Sequence, residues 1–551
     1  DGGDVGSGGA GQVLSERSLD RNIYSNLNAD KALSNNDNAF SQDNSNLSPG
    51  DFGVSTENEK DEIIKEIRME GKDWRLGDLN HSKPALAKYE NGKYIFAGSN
   101  DGMLHCFDDD DGTEEWAFVP EEQFSRLQEA YTGSHSYFMD GSPTVADTSG
   151  GKVVICGERR GGNNYYAIDI TNIGSPEYLY KKSVSGQSWK QPQFITFPTG
   201  GDSSQEAFLL SGGYDVGYDT SPLPSDPKGN DLTVIDATSG NQIKRFDDST
   251  ISTMNDSIVS AFAVEMIDDG EKLVSQMYAG DMGGNVFAFR NADFNADWQS
   301  MRLFEAESSG KKIFHELDVV LEYIEYYDDE NETWNEVVGQ HVFFGTGDRA
   351  NPLDDSTTNY FYCVKNDWRT GNLTTSSQVG DFDTLNNEDG TKKVMLDVTD
   401  NLIQEGNATE QELVEEELNA RYNRGWYIEL EHEGEKCLST PMVYNGVVYF
   451  TTFAPTKAAK SSDPCDTYSD MGVSRLYALD YKTGGAVYDD YDGDPDDELG
   501  KDDRSTKLQQ ENITIAPDPT TIISDEGDAL SIGPVTKDIK SGPQIFYWKQ
   551  K

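Results

Sequence analysis

One phrase recurs along this chain and limits what it can fold into. A short apolar strand ends in Gly, a turn follows, and a second strand closes on a hydrophobic residue and Asp. It stands at Ile95–Asp108 (IFAGSNDGMLHCFD) and returns at Val153–Asp169 (VVICGERRGGNNYYAID) and at Phe208–Asp236 (FLLSGGYDV, then DLTVID). Met277–Phe289, Val342–Asp367 and Val447–Asp480 bring it to six copies. Self-similarity at tens of residues is the mark of solenoids, propellers or arrays. These units are built from strands, so the expected fold is all-β, a β-propeller of four-stranded blades.

Several blades open on a Ser/Pro strand start: HSKP at His81, GSPT at Gly141, STPM at Ser439 and SIGP at Ser531. Proline is tolerated at the first residue of a strand, before the ladder forms. A partial unit, Ser531 to Trp548, shows about two strands. A strand from before His81 would complete it and close the ring, removing the exposed sheet edges. The expectation is seven blades, with six and eight left open. Residues 61–551 form the propeller, with acidic insertions near 381–422 and 488–526. Within the first insertion Glu410–Tyr422 reads as a helix, and Ile63, Ile64 and Ile67 set a helical period over Glu59–Met69. Residues 1–60, rich in Gly, Ser, Asn and Asp, show no period and read as a flexible lead-in.

The chain has 551 residues, and its 27 Tyr, 24 Phe and 8 Trp supply enough buried area to exclude wholesale disorder. Its formal net charge of −54 argues against nucleic acid, whose phosphates need a basic surface, and against an anionic membrane surface. Solubility, adaptation to salty water and cation binding at carboxylate-rich loops remain. The five cysteines form no CxxC, CxxCH or vicinal pair, which removes c-type haem attachment and the common zinc patterns. One or two disulfides stay open, with pairing unassigned. There is no P-loop for a nucleotide and no GxSxG elbow. The chain begins at Asp1 with no signal peptide and no apolar run of about 18 residues, and reads as a processed or truncated region.

Some strings are more specific than the repeat. LGDLNHSKP (Leu76–Pro84) followed by GSNDGMLHCFD (Gly98–Asp108) resembles the C-terminal propeller of the PilC/PilY family of type IV pilus proteins. So do MDGSPTVAD at Met139, GERRGGN at Gly157, FFGTGD at Phe343 and SRLYALDYKTGG at Ser474, in the same order. The resemblance implies a secreted protein at the pilus tip or cell surface that takes part in pilus biogenesis and adhesion. Its partners would be minor pilins or the pilus tip, and a host or abiotic surface. An upstream von Willebrand A-type domain is common in that family; no DxSxS motif occurs here.

The resemblance also implies calcium, in a DxDxDGxxD loop before a YxGD strand. The matching segment, Ile267–Ser275, keeps Asp268, Asp269 and Glu271 but has Ile267 and Ser275 at its end positions. A second candidate is the alternating set Asp490, Asp492, Asp494 and Asp496, whose spacing is that of the first ligands of an EF-hand-like loop. The bland reading of both is an acidic turn. None of the six histidines forms a metal-ligand pattern, and His81 reads as a structural hydrogen bonder. The expected function is therefore a binding module rather than an enzyme. The alternatives are a quinoprotein-like dehydrogenase, which needs a central cofactor, and an outer-membrane assembly scaffold.

Overall fold

The computed structural model describes residues 9–538, except 17–20, 28–30, 73–74, 132–135, 202, 221–222, 269, 292–293, 295–296, 307–309, 329–332, 367–394, 421–422, 457–471, 490, 492, 494–497, 509–514, 525–526 and 533–534.

Among the described residues seven mainly antiparallel sheets follow one another along the chain. Blade one is Ala85–Tyr89, Gly92–Gly98, Leu104–Asp108 and Glu114–Phe118. Blade two spans Thr144–Ser183, blade three Gln193–Phe246 and blade four Ser260–Glu305. Blade five begins at Asp318 and ends on Gly425–Glu429, with Leu396–Asp397 added in parallel. Blade six runs from Lys436 to Lys507, and three strands between Thr520 and Asp538 form blade seven. The fold is the expected propeller.

Its core lies in the seams between blades rather than inside any one sheet. Phe96, Cys106 and Trp116 of blade one pack with Val154, Tyr166 and Ile168 of blade two. Similar clusters join blades two to three, three to four, four to five, five to six and six to seven. This explains why strands such as Leu104–Asp108 are buried at nearly every position instead of alternately: both faces are covered.

The strand-ending glycines sit in these seams. A Cβ on Gly98 would lie 2.3 Å from the carbonyl oxygen of Met139, at the opening of blade two. A Cβ on Gly345 of blade five would lie 2.2 Å from Cβ of Cys437, at the opening of blade six. The Asp that ends the next strand has a different task. Asp108, Asp236 and Asp480 each cap a turn in which the glycine four residues on donates its N–H back to the Asp carbonyl. Those glycines, Gly112, Gly240 and Gly484, share φ values of 71°, 69° and 70°, the left-handed region that favours glycine. The carboxylate accepts from the turn's backbone, as Asp480 does from Thr483 N at 2.9 Å.

The N-terminal segment departs from the expected flexible lead-in. Ile23–Tyr24 pairs in parallel with Ala117–Phe118, adding a fifth strand to the outer edge of blade one. Ile23, Phe40, Leu47 and Phe52 are buried with Ile63, Ile64 and Ile67 of the helix Glu57–Ile67 and with Phe124 and Leu127 of a second helix, Phe124–Tyr131. Aperiodic chain can still bury widely spaced aromatics on an existing surface. The N-terminal strand thus lies on blade one, and among the described residues no N-terminal strand joins blade seven. Blade seven opens at Asp518-Pro519 before Thr520, whereas Ser531 and Ile532 of SIGP end its second strand, Gly527–Ile532. Blades seven and one meet through Lys83 and Asp518, 2.5 Å apart. The acidic helix of the first insertion is Ala408–Asn419, started by an Asn407/Glu410 capping box. Cys106, Cys156, Cys363 and Cys437 are buried free thiols, and Cys465 falls outside the described residues.

Substituting Gly98 or Gly345 with Ala forces a methyl group into a seam with no space for it. Each change is expected to destabilise the chain by about 3 kcal/mol, read as a lower midpoint in chemical denaturation. An unchanged midpoint would mean that the seams can open.

Candidate functional site

The strand openers place side chains around the propeller axis, and there blades that are not neighbours touch. Trp189 opens blade three and Phe314 precedes blade five, yet their rings are 5.8 Å apart. Tyr214 fills the space between them, 4.7 Å from Trp189 and 5.5 Å from Phe314. Lys190 of blade three pairs with Glu316 of blade five. Such contacts are possible only across the axis, which is therefore filled by side chains at this face.

Around this aromatic plug sits a group of cations. Arg159 has φ of 50°, a strained value for a residue other than glycine. Its guanidinium lies 4.1 Å from the Trp189 ring centre and donates to Asp140 at 3.1 Å. Burial, against the pull of Asp140 and with Arg349 adding repulsion, brings Arg159 down to about 10. Arg160 lies over both Trp189 and Tyr137, at 5.2 and 5.7 Å. Arg349 of blade five donates to the carbonyl of Leu438 in blade six and stands 3.4 Å from His315. Burial, then the nearby Arg349, keeps His315 neutral. His81 Nδ1 is 2.8 Å from Asp140, and Asp518 accepts from Thr440 N and Lys83. Blades one, two, three, five, six and seven all contribute.

The motif strings that looked most specific are knotted together beside this face. Gly77 N donates to Asp101 at 2.9 Å, and Asn100 donates to both the backbone and side chain of Asp78. Below them His105 is fully buried between two carboxylates, Glu114 at 2.8 Å and Asp101 at 3.2 Å. Both ring nitrogens face acceptors, so the geometry calls for the imidazolium, which donates from each. Burial opposes that charge, but Asp101 and Glu114 outweigh it and raise His105 to about 9. Glu114 is held at about 2 because Arg21 and His105 outweigh its burial. Arg21 comes from the N-terminal segment and grips Glu114 with two bonds, at 2.7 and 2.8 Å. The quartet Arg21, His105, Asp101 and Glu114 is neutral as a whole and pins residues near 21 to blade one.

The expected metal ligands fall as follows. Asp268 and Glu271 are direct backbone partners at the end of a hairpin, in register from Glu265 onward after a bulge. Asp269 lies outside the described residues, as do Asp490, Asp492, Asp494 and Asp496. Ser275, the end position of the family loop, is buried and donates to the carbonyl of Val264. Ladder pairing engages the backbone of this hairpin and not its carboxylates, and calcium takes six to eight oxygens. Among the described residues no group of three or more His, Cys, Asp or Glu is placed to hold a metal ion. Sequence reasoning did not single out Arg159, Arg160, Trp189 or Arg349. Adjacent arginines in so acidic a chain were the available signal.

No known protein family model matches the chain. Over 224 residues it is 28% identical to the type IV pilus biogenesis factor PilY1 of Pseudomonas aeruginosa, covering 38% of this chain and 18% of that protein. A PilY1 homolog of Xylella fastidiosa is 24% identical over 429 residues, 72% of this chain and 26% of the homolog. The crystal structure of the Pseudomonas aeruginosa PilY1 C-terminal domain matches with a TM-score of 0.53 at 18% identity, covering 82% of this chain and 93% of that domain. The chain is similar to the PilY1 C-terminal domain in sequence and fold. The matched regions span under a third of these curated relatives.

The quartet makes a pH prediction. Stabilisation from His105, raised from an ordinary value near 6.5, is full below 6.5 and lost as pH climbs through about 9. That from Glu114, lowered from about 4.5, is full above 4.5 and lost as pH falls toward about 2. Backbone hydrogen exchange at residues 21–27, corrected for intrinsic rate, should be slowest between these limits and faster at pH 9. Glu114→Gln should loosen the segment at all pH values, and an unchanged profile in that variant would count against the clamp.

Proposed function

We propose that this chain is the propeller end of a type IV pilus biogenesis factor, exported to the cell surface and held at the pilus tip. There it binds minor pilins and a host or abiotic surface, and acts as an adhesive binding module rather than an enzyme. The observation that carries this reading is the joint likeness to PilY1 over 72% of the chain in sequence and 82% in fold. The axis supports it. A dehydrogenase propeller needs a central cofactor, and Trp189, Tyr214 and Phe314 fill that space at this face. Arg160 and Tyr137 lie at its rim, an arginine and an aromatic of the kind that anchors protein interfaces. No helix among the described residues is long and apolar enough to cross a membrane.

Calcium belongs to the same reading, at the Asp268, Asp269 and Glu271 turn or at the alternating carboxylates of 490–496. Chelation is then expected to lower the melting temperature by a few degrees. Superimposable curves in calcium and EDTA would remove the ion from the account.

The direct test is to shear pili from producing cells and blot the fibre fraction. Enrichment with the pili is expected, falling when Arg160 and Tyr137 are both changed to Ala. Recovery solely as free periplasmic protein would overturn the proposal.

A further inference from the structure

Away from the axis, a cavity of about 630 Å3 opens between blade five's strand Gly425–Glu429 and the outer strands of blade six, Gly472–Asp480 and Ser505–Lys507. Its charges are arranged unusually. Arg475 and Lys507 are direct cross-strand partners, and like charges placed opposite each other destabilise a ladder. A third cation, Arg504, comes from the short helical turn before that strand and is only 4% exposed. Its guanidinium donates to the carbonyls of Val398 and Thr399 at 2.6 and 2.7 Å.

These three cations lack the partners that an acidic chain could easily supply. None of them pairs with a carboxylate among the described residues, although Lys501 beside them is paired with Glu431 at 2.7 Å. The Nε atoms of Arg475 and Arg504 are shut off from solvent with no hydrogen-bond partner. A buried donor left unsatisfied is costly, and more so on a charged group. Burial brings Arg504 down to about 10, outweighing the pull of Glu431.

Carboxylates line the same cavity. Glu429 and Glu431 come from the end of blade five's last strand and Asp502 from the turn that carries Arg504, and Tyr477, whose hydroxyl donates to buried Glu435 at 3.1 Å, lines it too. A bare inorganic anion would satisfy the cations but would leave most of the cavity empty and face these carboxylates. A neutral sugar would satisfy the acceptors and leave the cations unpaired. The cavity lies within the usual range for small-molecule sites, which hold a ligand of several polar groups.

We propose that this cavity binds an acidic monosaccharide, with its carboxylate between Arg475 and Lys507 and its hydroxyls donating to Glu429 and Asp502, while Arg504, held by Val398, Thr399 and Asn401, adds positive charge from behind. The Arg475 guanidinium and the Lys507 ammonium supply charged N–H donors for the carboxylate. The bound carboxylate also relieves the repulsion between Arg475 and Lys507.

The test is calorimetric titration of the whole chain with glucuronate, with glucose and inorganic phosphate as comparators. Glucuronate is expected to bind and the comparators to bind at least about tenfold more weakly. Arg475→Gln and Lys507→Gln should each weaken glucuronate binding by about tenfold or more, the loss of a charge-assisted contact. Without ligand both variants are expected to melt no lower than the parent chain, because each removes a like-charge neighbour; this separates a lost site from a lost fold. Failure of the parent chain to bind glucuronate, phosphate binding as tightly as glucuronate, or unchanged glucuronate binding in the two variants would each overturn the proposal.

Discussion

The structure depends on burying both faces of every sheet. A four-stranded sheet with two apolar faces is not stable alone, and here each face is covered by the next blade along the chain. The clusters from Phe96 with Tyr166 through to Leu476 with Leu530 make the core a series of seams. That arrangement turns sequence order directly into spatial order, as in other repeat architectures. It also sets the spacing between blades so tightly that the second strand must end without a side chain where it meets its neighbour's opening, as at Gly98 and Gly345. The polar groups at strand openings are then carried inward to the axis.

Charge is distributed with the same geometry. A chain of net charge −54 gathers Arg159, Arg160 and Arg349 around one axial plug and pairs only part of that charge with Asp140 and Asp518. The stacking of Arg159 on Trp189, with its left-handed backbone, holds the guanidinium where solvent would otherwise disperse it. A second group of cations, Arg475, Arg504 and Lys507, is set apart at the seam of blades five and six. Both regions gather positive charge in an otherwise acidic chain.

Much of this was legible in the sequence, for physical reasons that differ by element. The Gly and Asp of the recurring phrase were visible because a seam without space and a left-handed turn each tolerate few residues, so they recur at fixed offsets. Ile63, Ile64 and Ile67 marked a helix because one face is buried. The N-terminal segment was not legible: Phe40 and Phe52 are isolated aromatics in polar chain, and only the surface of blade one makes them core. The opening of blade seven was misplaced because a Ser-to-Pro signature at Ser531 outranked Asp518-Pro519, whose significance lies in contacts to Lys83 and Thr440 far away in sequence. The axial arginines carry no periodic signal. Their meaning comes from five or more blades converging on one point, which no local pattern encodes.

The proposed function requires that the seven blades present this axial face as a contact surface. Hydrogen exchange of the isolated chain, compared with the same chain bound to purified pili, tests it most directly. The account predicts added protection at residues 137–140, 158–162 and 348–350, which converge at the axis from blades two and five. Protection confined to the outer edges of the blades, with the axial residues unchanged, would contradict it.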